Sequence, residues 1–271
     1  MKPKTGGDSI VGPSRREFLR ISASFAGGLF FAGALSDEAP AAVAPSSAAA
    51  GTGVYDWRRY KWAFAVDTTR CIGCGSCMRA CRRENQVPQG FFRTWVERYE
   101  IDGEGEAHVD VAHGNAAAFE ADALPASTER LKAFFVPKLC NHCERSVCSQ
   151  VCPVGASYQT EDGVVLVDGE RCIGCAYCVQ ACPYGSRFIN PVTHTADKCT
   201  LCYHRITRDV SPPLKPACVT VCPVGARMFG NIRDHSSDLY RILRQRRYAL
   251  LRPEMGTHPK CYYIGLDQEV K

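Results

Sequence analysis

Sixteen of the seventeen cysteines in this 271-residue chain fall into four consecutive groups of four, and this grouping limits the possible folds. The groups are Cys71-x2-Cys74-x2-Cys77-x3-Cys81, Cys140-x2-Cys143-x4-Cys148-x3-Cys152, Cys172-x2-Cys175-x2-Cys178-x3-Cys182 and Cys199-x2-Cys202-x15-Cys218-x3-Cys222. A proline directly follows each of the last three groups. Cysteines this close together favour convergence on a metal over cross-linking of distant loops.

The third group matches the run C-x2-C-x2-C-x3-C-P, in which three thiolates hold one iron–sulfur cube and the fourth binds a neighbouring cluster. Four thiolates per [4Fe–4S] cluster divide the sixteen cysteines into four clusters with none left over. Zinc stays an alternative, because C-x2-C pairs also build zinc ribbons, and disulfides are a second one. We expect the seventeenth cysteine, Cys261, to be a buried or idle thiol and not a ligand.

The chain also repeats short phrases around the cysteines. Cys71-Ile72-Gly73-Cys74 returns as Cys172-Ile173-Gly174-Cys175, and Val151–Ala156 returns as Val221–Ala226. An internal repeat indicates similar structural units. Each unit is predicted to contain a ligand loop, a short helix carrying the last cysteine, and a proline that ends the helix.

Strands are predicted beside these loops. Apolar residues predict strands over Trp62–Asp67 and Val164–Val167, which lead into the first and third groups. Between the first two groups, Arg93–Ile101 and Arg130–Val136 predict the arms of a β-hairpin insertion, with residues 113–128 as a loop. A C-terminal helix is predicted from Asp238 to about Leu250, with Ser236 or Ser237 as its cap. Its arginine-rich face fits a docking surface or, as the plainer alternative, a solvated face.

The first 50 residues are predicted to be an export signal and an Ala/Pro/Ser-rich segment. Ser14–Arg20, with the sequence SRREFLR, resembles the twin-arginine motif S-R-R-x-F-L-K. The apolar stretch that follows, Ile21–Leu35, is shorter than the roughly 20 residues of a membrane span. The alternative is a tail with a chance arginine pair. Export of the folded protein would let clusters be inserted in the reducing cytoplasm.

Charge gives less information. The net charge of +5 lacks the concentrated basic stripe that nucleic acid binding needs. One basic residue lies just before each group, and charge compensation of a cluster is one interpretation, with unrelated exposed residues as the other. These residues are Arg70, Lys138, Arg171 and Lys198. His142 and His204 lie near cysteines, where they could donate to sulfur or simply be packed or solvated.

From Trp62 to about Ile264 the sequence resembles the four-cluster iron–sulfur subunits of molybdopterin oxidoreductases, such as the dimethyl sulfoxide, polysulfide and tetrathionate reductases. The phrases that carry the resemblance are Asp67–Cys74, Leu139–Cys143, Gly163–Asp168, Ala181–Gly185 and Asp197–Cys202. The resemblance implies an α+β fold over residues 54–271. It implies two interlocked ferredoxin-like lobes, one built from the first and fourth groups and one from the second and third.

The resemblance also implies which cysteines share a cluster, because each group lends one member to a sister group. Four ligand sets follow from it. The first set is Cys71, Cys74, Cys77 and Cys222. The second set is Cys140, Cys143, Cys148 and Cys182. The third set is Cys152, Cys172, Cys175 and Cys178. The fourth set is Cys81, Cys199, Cys202 and Cys218.

No common catalytic motif is present in the sequence, so the expected function is electron transfer through four [4Fe–4S] clusters. The expected partners are a quinone-linked membrane subunit and a periplasmic molybdopterin-containing catalytic subunit, with membrane association through these partners. The alternative partner is a multihaem cytochrome or a sulfur-metabolism protein, without a molybdenum enzyme. A remote alternative is a zinc-binding structural adaptor.

Overall fold

The computed structural model describes residues 55–111, 119, 128–208 and 213–270. The predicted export signal and most of the predicted loop over residues 113–128 lie outside these residues. The described chain is α+β, with short helices and small sheets. No helix within these ranges is long and apolar enough to cross a membrane.

The first strand, β1 (Trp62–Asp67), lies inside a four-stranded sheet and is buried along its whole length. It pairs antiparallel with β9 (Arg227–Asn231) and parallel with β11 (Cys261–Ile264), which in turn pairs with β10 (Tyr248–Ala249). Since both faces of β1 are covered, its sequence WAFAVD is almost entirely apolar. The predicted bounds of this strand are confirmed.

The insertion between the first two groups is a three-stranded antiparallel sheet and not a simple hairpin. Its central strand β2 (Thr94–Asp102) pairs with β4 (Arg130–Leu139), as predicted, and also with β3 (Ala107–Val111). The third strand was missed because it is short and lies at an edge of the sheet, without fully buried residues. Only the turn after Asp102 brings it into register with β2.

Two small hairpins complete the strands. The first joins β5 (Ser157–Gln159) to β6 (Val165–Val167), which lies within the predicted strand Val164–Val167. The second joins β7 (Phe188–Ile189) to β8 (Ala196–Asp197). Five helices lie beside the cysteines: α1 (Ser76–Asn85), α2 (Val147–Gln150), α3 (Tyr177–Gln180), α4 (Tyr203–Ile206) and α5 (Ala217–Thr220).

The predicted C-terminal helix is present but ends earlier than predicted. Helix α6 covers Asp238–Gln245, and an ion pair of 2.5 Å between Arg246 Nη1 and Asp67 Oδ2 holds the extended chain after it. The chain then enters β10, so the prediction of helix to Leu250 was wrong. Ser237 occupies the cap position, but its side chain makes no capping hydrogen bond. Leu239 of α6 packs on the outer face of β1, so this helix covers the sheet.

The main core lies between the two larger sheets. Apolar side chains of β1 and β11 form one buried cluster with those of β2 and β4. Tyr263 Oη also donates a hydrogen bond of 3.3 Å to the carbonyl oxygen of Pro137, which links the sheets directly. Cysteines from three groups belong to the same cluster, so the thiols are part of the core and not an appendage to it.

Candidate metal-cluster sites

Short helices place the thiols. In groups two to four the third cysteine lies on a one-turn helix, and the fourth comes directly after the residue that caps the helix. The expectation that the helix carries the last cysteine is therefore wrong for these groups, because the chain has already turned before the Cys-Pro step. In the first group, the longer helix α1 carries both Cys77 and Cys81.

Left-handed residues shape the loops between the first cysteines. Gly73 and Gly174 occupy equivalent places in the two Cys-Ile-Gly-Cys phrases, and both have φ of +68°. A β-carbon on Gly174 would lie 2.5 Å from the carbonyl oxygen of His194, and one on Gly73 would meet the ring of Phe135 at a similar distance. Both positions therefore require glycine, for backbone conformation and for space.

Strand pairing brings distant cysteine groups together. Strand β1 leads into the first group and pairs with β9, which leaves the fourth group. Strand β5 leaves the second group and pairs with β6, which leads into the third. Helices α1 and α5 pack together, as do α2 and α3. Groups one and four therefore meet, as do groups two and three.

Three small cavities lie at these meeting points. One is bordered by Cys71, Cys74, Cys77 and Cys222. A second is bordered by Cys152, Cys172, Cys175 and Cys178. The third is bordered by Cys81, Cys199, Cys202 and Cys218. These groupings coincide with the first, third and fourth ligand sets that the resemblance implies, and the ligand assignment itself stays a prediction.

The thiols of the second set also lie near one another. Burial raises the pKa of Cys143 to about 12, and the neighbouring thiols of Cys140, Cys148 and Cys182 raise it as well. Burial similarly raises the pKa of Cys199 well above its ordinary value. Since only the thiolate binds iron, loading these sites with metal must displace protons. Within the described ranges, no three Cys, His, Asp or Glu side chains are grouped closely enough to hold a single metal ion.

The four sets follow one another in a series. Helix α1 carries Cys77 of the first set and Cys81 of the fourth, one turn apart. Cys140 of the second set is close enough to Cys199 of the fourth to raise the pKa of that thiol, which burial raises most. Helix α2 carries Cys148 of the second set and leads directly to Cys152 of the third. The order in space is therefore first, fourth, second, third.

The sets at the two ends of this series contain exposed thiols, and the sets in the middle do not. Cys74 of the first set and Cys175 of the third set are exposed. All four thiols of the fourth set are buried, and those of the second are buried or half-buried. Ile72 and Ile173, beside the two exposed thiols, are 56% and 65% exposed. The two ends of the series thus reach the surface at equivalent positions of the sequence repeat.

Several N–H groups point at the thiol sulfurs. Backbone amides donate to Cys172, Cys199 and Cys222 at 3.3–3.4 Å. The side-chain amide of Asn85 donates to the sulfurs of Cys81 and Cys202, at 3.5 and 3.7 Å. Such hydrogen bonds to sulfur help to set the potential of an iron–sulfur cluster.

The basic residues before the groups lie in three different environments. Arg70 and Arg171 are exposed, and Lys138 forms an ion pair of 2.7 Å with Glu97 in the three-stranded sheet. Lys198 is buried, and its Nζ donates to the carbonyl oxygens of Val165 and Cys199. Of the four basic residues that precede the cysteine groups, only Lys198 is buried with the thiols. Compensation of cluster charge therefore fits Lys198 and not the other three.

The two histidines also differ. His142 is fully buried, and its Nδ1 accepts a hydrogen bond of 3.0 Å from the amide of Val165. Burial lowers the pKa of His142 well below its ordinary value, so the ring is neutral, with its proton on Nε2. His204 is exposed and its Nε2 lies 2.7 Å from Glu84 Oε1, so its ring is engaged by a carboxylate.

Sequence reasoning missed three polar side chains beside the thiols. They are Asn85, Arg187 and Arg227. The signal for the two arginines was present, because each lies five residues after the last cysteine of its group in the phrase Cys-Pro-x-Gly-x-Arg.

Cys261, the cysteine outside the groups, is buried in β11, and burial raises its pKa to about 12.

Comparison with known proteins agrees with this arrangement. Two family models described as 4Fe-4S dicluster domains match the chain, over residues 70–156 and 131–232. A tetrathionate reductase subunit of Salmonella typhimurium is 46% identical over 77% of this chain and 74% of its own length. The protein of the same name from Archaeoglobus fulgidus is 42% identical, over 80% and 89%. A sulfite dehydrogenase subunit of Allochromatium vinosum is 38% identical, over 74% and 82%.

The fold, the thiol groups and the matched models define a protein with 4Fe-4S dicluster domains that carries several [4Fe–4S] clusters. More particularly, the chain belongs to the family of iron–sulfur subunits that includes these tetrathionate reductase subunits. It is an iron–sulfur electron-transfer subunit of an oxidoreductase.

Proposed function

We propose that each of the four thiol sets holds one [4Fe–4S] cluster, so that the chain carries four. The first and fourth sets form one ferredoxin-like lobe, and the second and third sets form the other. The observation that carries this proposal is that three quartets, each made of cysteines from two sequence groups, each border a separate cavity. When bound, such clusters accept and release one electron at a time.

The protein positions and insulates this series. The fourth set is buried, which excludes water from the middle of the path. The first and third sets each have one exposed thiol, Cys74 and Cys175, and these are the proposed places of electron entry and exit. The exposed Ile72 and Ile173 beside them offer apolar contact to a partner at each end.

The proposed partners are a quinone-linked membrane subunit at one end and a molybdopterin-containing catalytic subunit at the other. Support comes from the relatives, which are named as subunits of tetrathionate reductase and sulfite dehydrogenase. The proposed location is the periplasm, reached by the twin-arginine route, on the strength of Arg15 and Arg16 in their sequence context.

Iron content and spectroscopy test the cluster assignment. Anaerobically purified protein should contain about sixteen irons per chain and show reduced-cluster electron paramagnetic resonance after dithionite. The variant Cys175→Ser should lose or alter one cluster signal. The matched control Cys261→Ala, which removes a buried thiol outside the four sets, should keep all of them. Zinc in place of iron, or an unaltered spectrum in Cys175→Ser, would contradict the proposal.

Purification with native partners tests the proposed relay. The full chain, isolated from membranes with its neighbours, should bring down a large molybdopterin protein together with a membrane subunit. A haem-rich cytochrome in place of the molybdopterin protein would overturn the partner assignment while leaving the cluster assignment intact.

Cell fractionation tests the proposed export. Wild-type protein should be recovered from the periplasmic side, and replacement of both Arg15 and Arg16 by lysine should leave it in the cytoplasm with its clusters present. The control variant Arg20→Lys, which restores the lysine of the export motif, should be exported. Export of the double-lysine variant would refute the proposed route.

A further inference from the structure

Arg187 and Arg227 occupy the same place in two copies of the cysteine repeat. Each follows the last cysteine of its group by five residues, in Cys182-Pro-Tyr-Gly-Ser-Arg187 and Cys222-Pro-Val-Gly-Ala-Arg227. The second group has Ser157 at the corresponding place. The repeat therefore supplies one such arginine to each pair of interlocked groups.

Arg227 lies between the first and fourth thiol sets. It is 2% exposed and borders the cavity of the first set. Burial by itself lowers the pKa of this guanidinium, but neighbouring groups, the thiols of Cys77 and Cys218 first among them, raise it overall. These two thiols belong to different sets, so the cation faces both.

Arg187 lies in the same way between the second and third sets. It is 5% exposed, and its hydrogen-bond acceptor Ser157 borders the cavity of the third set. The thiols of Cys148, Cys140 and Cys178 raise the pKa of Arg187 against the lowering effect of burial. Cys148 belongs to the second set and Cys178 to the third. The two arginines thus occupy equivalent junctions.

Each guanidinium donates a hydrogen bond to one hydroxyl group. Arg227 Nη2 donates to Thr94 Oγ1 at 2.7 Å, and Arg187 Nη2 donates to Ser157 Oγ at 2.8 Å. In both arginines Nε and Nη1 are buried and have no hydrogen-bond partner among the described residues. Neither forms an ion pair with a carboxylate within those ranges, although buried unpaired charges are strongly disfavoured.

Sulfur is the compensating partner that remains. Arginine stays protonated in proteins, and its five N–H groups can serve several acceptors at once. With a cluster bound, the sulfurs at each junction would be thiolates that carry negative charge, and reduction of the cluster would add more. The free N–H groups of each arginine are therefore available to the two sets that it faces.

We propose that Arg227 and Arg187 are paired tuning residues, each of which raises the midpoint potentials of the two clusters flanking it. This inference rests on the proposed ligand sets. Arg227 acts on the first and fourth clusters and Arg187 on the second and third. Together they give each half of the series its own positive charge, so that each half can be tuned by one residue.

Redox titration followed by electron paramagnetic resonance tests the proposal on the full chain. Arg227→Gln should lower two of the four midpoint potentials, and Arg187→Gln should lower the other two. Cys74→Ser and Cys175→Ser identify the signals of the first and third sets. The control variants Arg70→Gln and Arg171→Gln remove exposed arginines next to the same groups and should change none of the potentials.

Iron content separates the possible failures. If wild-type protein contains fewer than about sixteen irons, the four-cluster assignment is wrong. This outcome is distinct from a failure of the role proposed for the arginines. If the glutamine variants hold full iron and keep all four wild-type potentials, the tuning proposal is overturned.

Lysine variants cover the case in which glutamine prevents cluster insertion. Arg227→Lys and Arg187→Lys keep the charge and should hold the flanking potentials close to wild type. The proposal is supported if a glutamine variant loses clusters while the corresponding lysine variant binds them with wild-type midpoint potentials. Two results would reject a role for the charge. In the first, the lysine variants contain all four clusters but the flanking midpoint potentials differ from those of wild type. In the second, the lysine variants also fail to bind the clusters.

Discussion

Arg227 and Thr94 are joined by a hydrogen bond of 2.7 Å although they lie 133 positions apart in the chain. Thr94 Oγ1 in turn donates to the carbonyl oxygen of Lys138 at 2.6 Å. One hydroxyl group therefore connects two strands of the inserted sheet to the residue that faces the first and fourth thiol sets. The insertion is thus structurally part of the cluster-binding core.

Replacement of Thr94 by valine should destabilise the protein by about 1–3 kcal/mol, because it leaves a buried arginine N–H group without its acceptor. Thermal unfolding of the iron-loaded protein, followed by circular dichroism, measures the change. Thr193→Val, which alters an exposed threonine, is the control and should stay within about 0.5 kcal/mol of wild type. Equal midpoints for the two variants would show that this bond contributes nothing.

Asn85 should tune only one cluster. Its side-chain amide reaches the sulfurs of Cys81 and Cys202, both in the fourth set, and its oxygen accepts a hydrogen bond of 3.1 Å from Arg93. Asn85→Ala should lower a single midpoint potential in a redox titration, because hydrogen bonds to sulfur stabilise the reduced form. Gln86→Ala, at the exposed neighbouring position, is the control. Movement of two potentials would argue against this local role.

Gly174→Ala should impair the third set. The left-handed backbone costs about 1–2 kcal/mol for alanine, and the new methyl group would collide with the carbonyl oxygen of His194, 2.5 Å away. Iron content should fall from about sixteen towards about twelve per chain as one cluster is lost. Gly169→Ala is the matched control, since a β-carbon there meets no atom within 4 Å. Full iron in both variants would refute the steric argument.

Asp162 should be important for stability although it lies in a turn. Its carboxylate is fully buried and accepts hydrogen bonds from the hydroxyl groups of Tyr55, Thr160 and Tyr203. Asp162→Asn should cost about 1.5–3 kcal/mol, because bonds to a charged acceptor become bonds to a neutral one. The control Glu161→Gln alters the exposed neighbour. Unfolding midpoints that fall equally in both variants would contradict this prediction.

Local patterns in the sequence were enough to predict several elements. The apolar run of β1 predicted its bounds, and the cysteine spacing predicted a ligand loop followed by a short helix, although only helix α1 carries the last cysteine of its group. These features depend on neighbouring residues, for which spacing and side-chain type are sufficient information. The end of α6 was mispredicted because Arg246 pairs with Asp67, a residue 179 positions away.

The number of thiols, their spacing and the resemblance to iron–sulfur subunits can all be read along the chain, because ligand loops are local in sequence. Which groups meet, and in what order their thiols follow one another, depends on long-range pairing such as that of β1 with β9. The burial of Arg187 and Arg227 between thiol sets has the same origin. Burial and charge proximity arise only when distant segments pack together, so the sequence shows the repeated arginine but only the folded chain shows that it lies between two thiol sets.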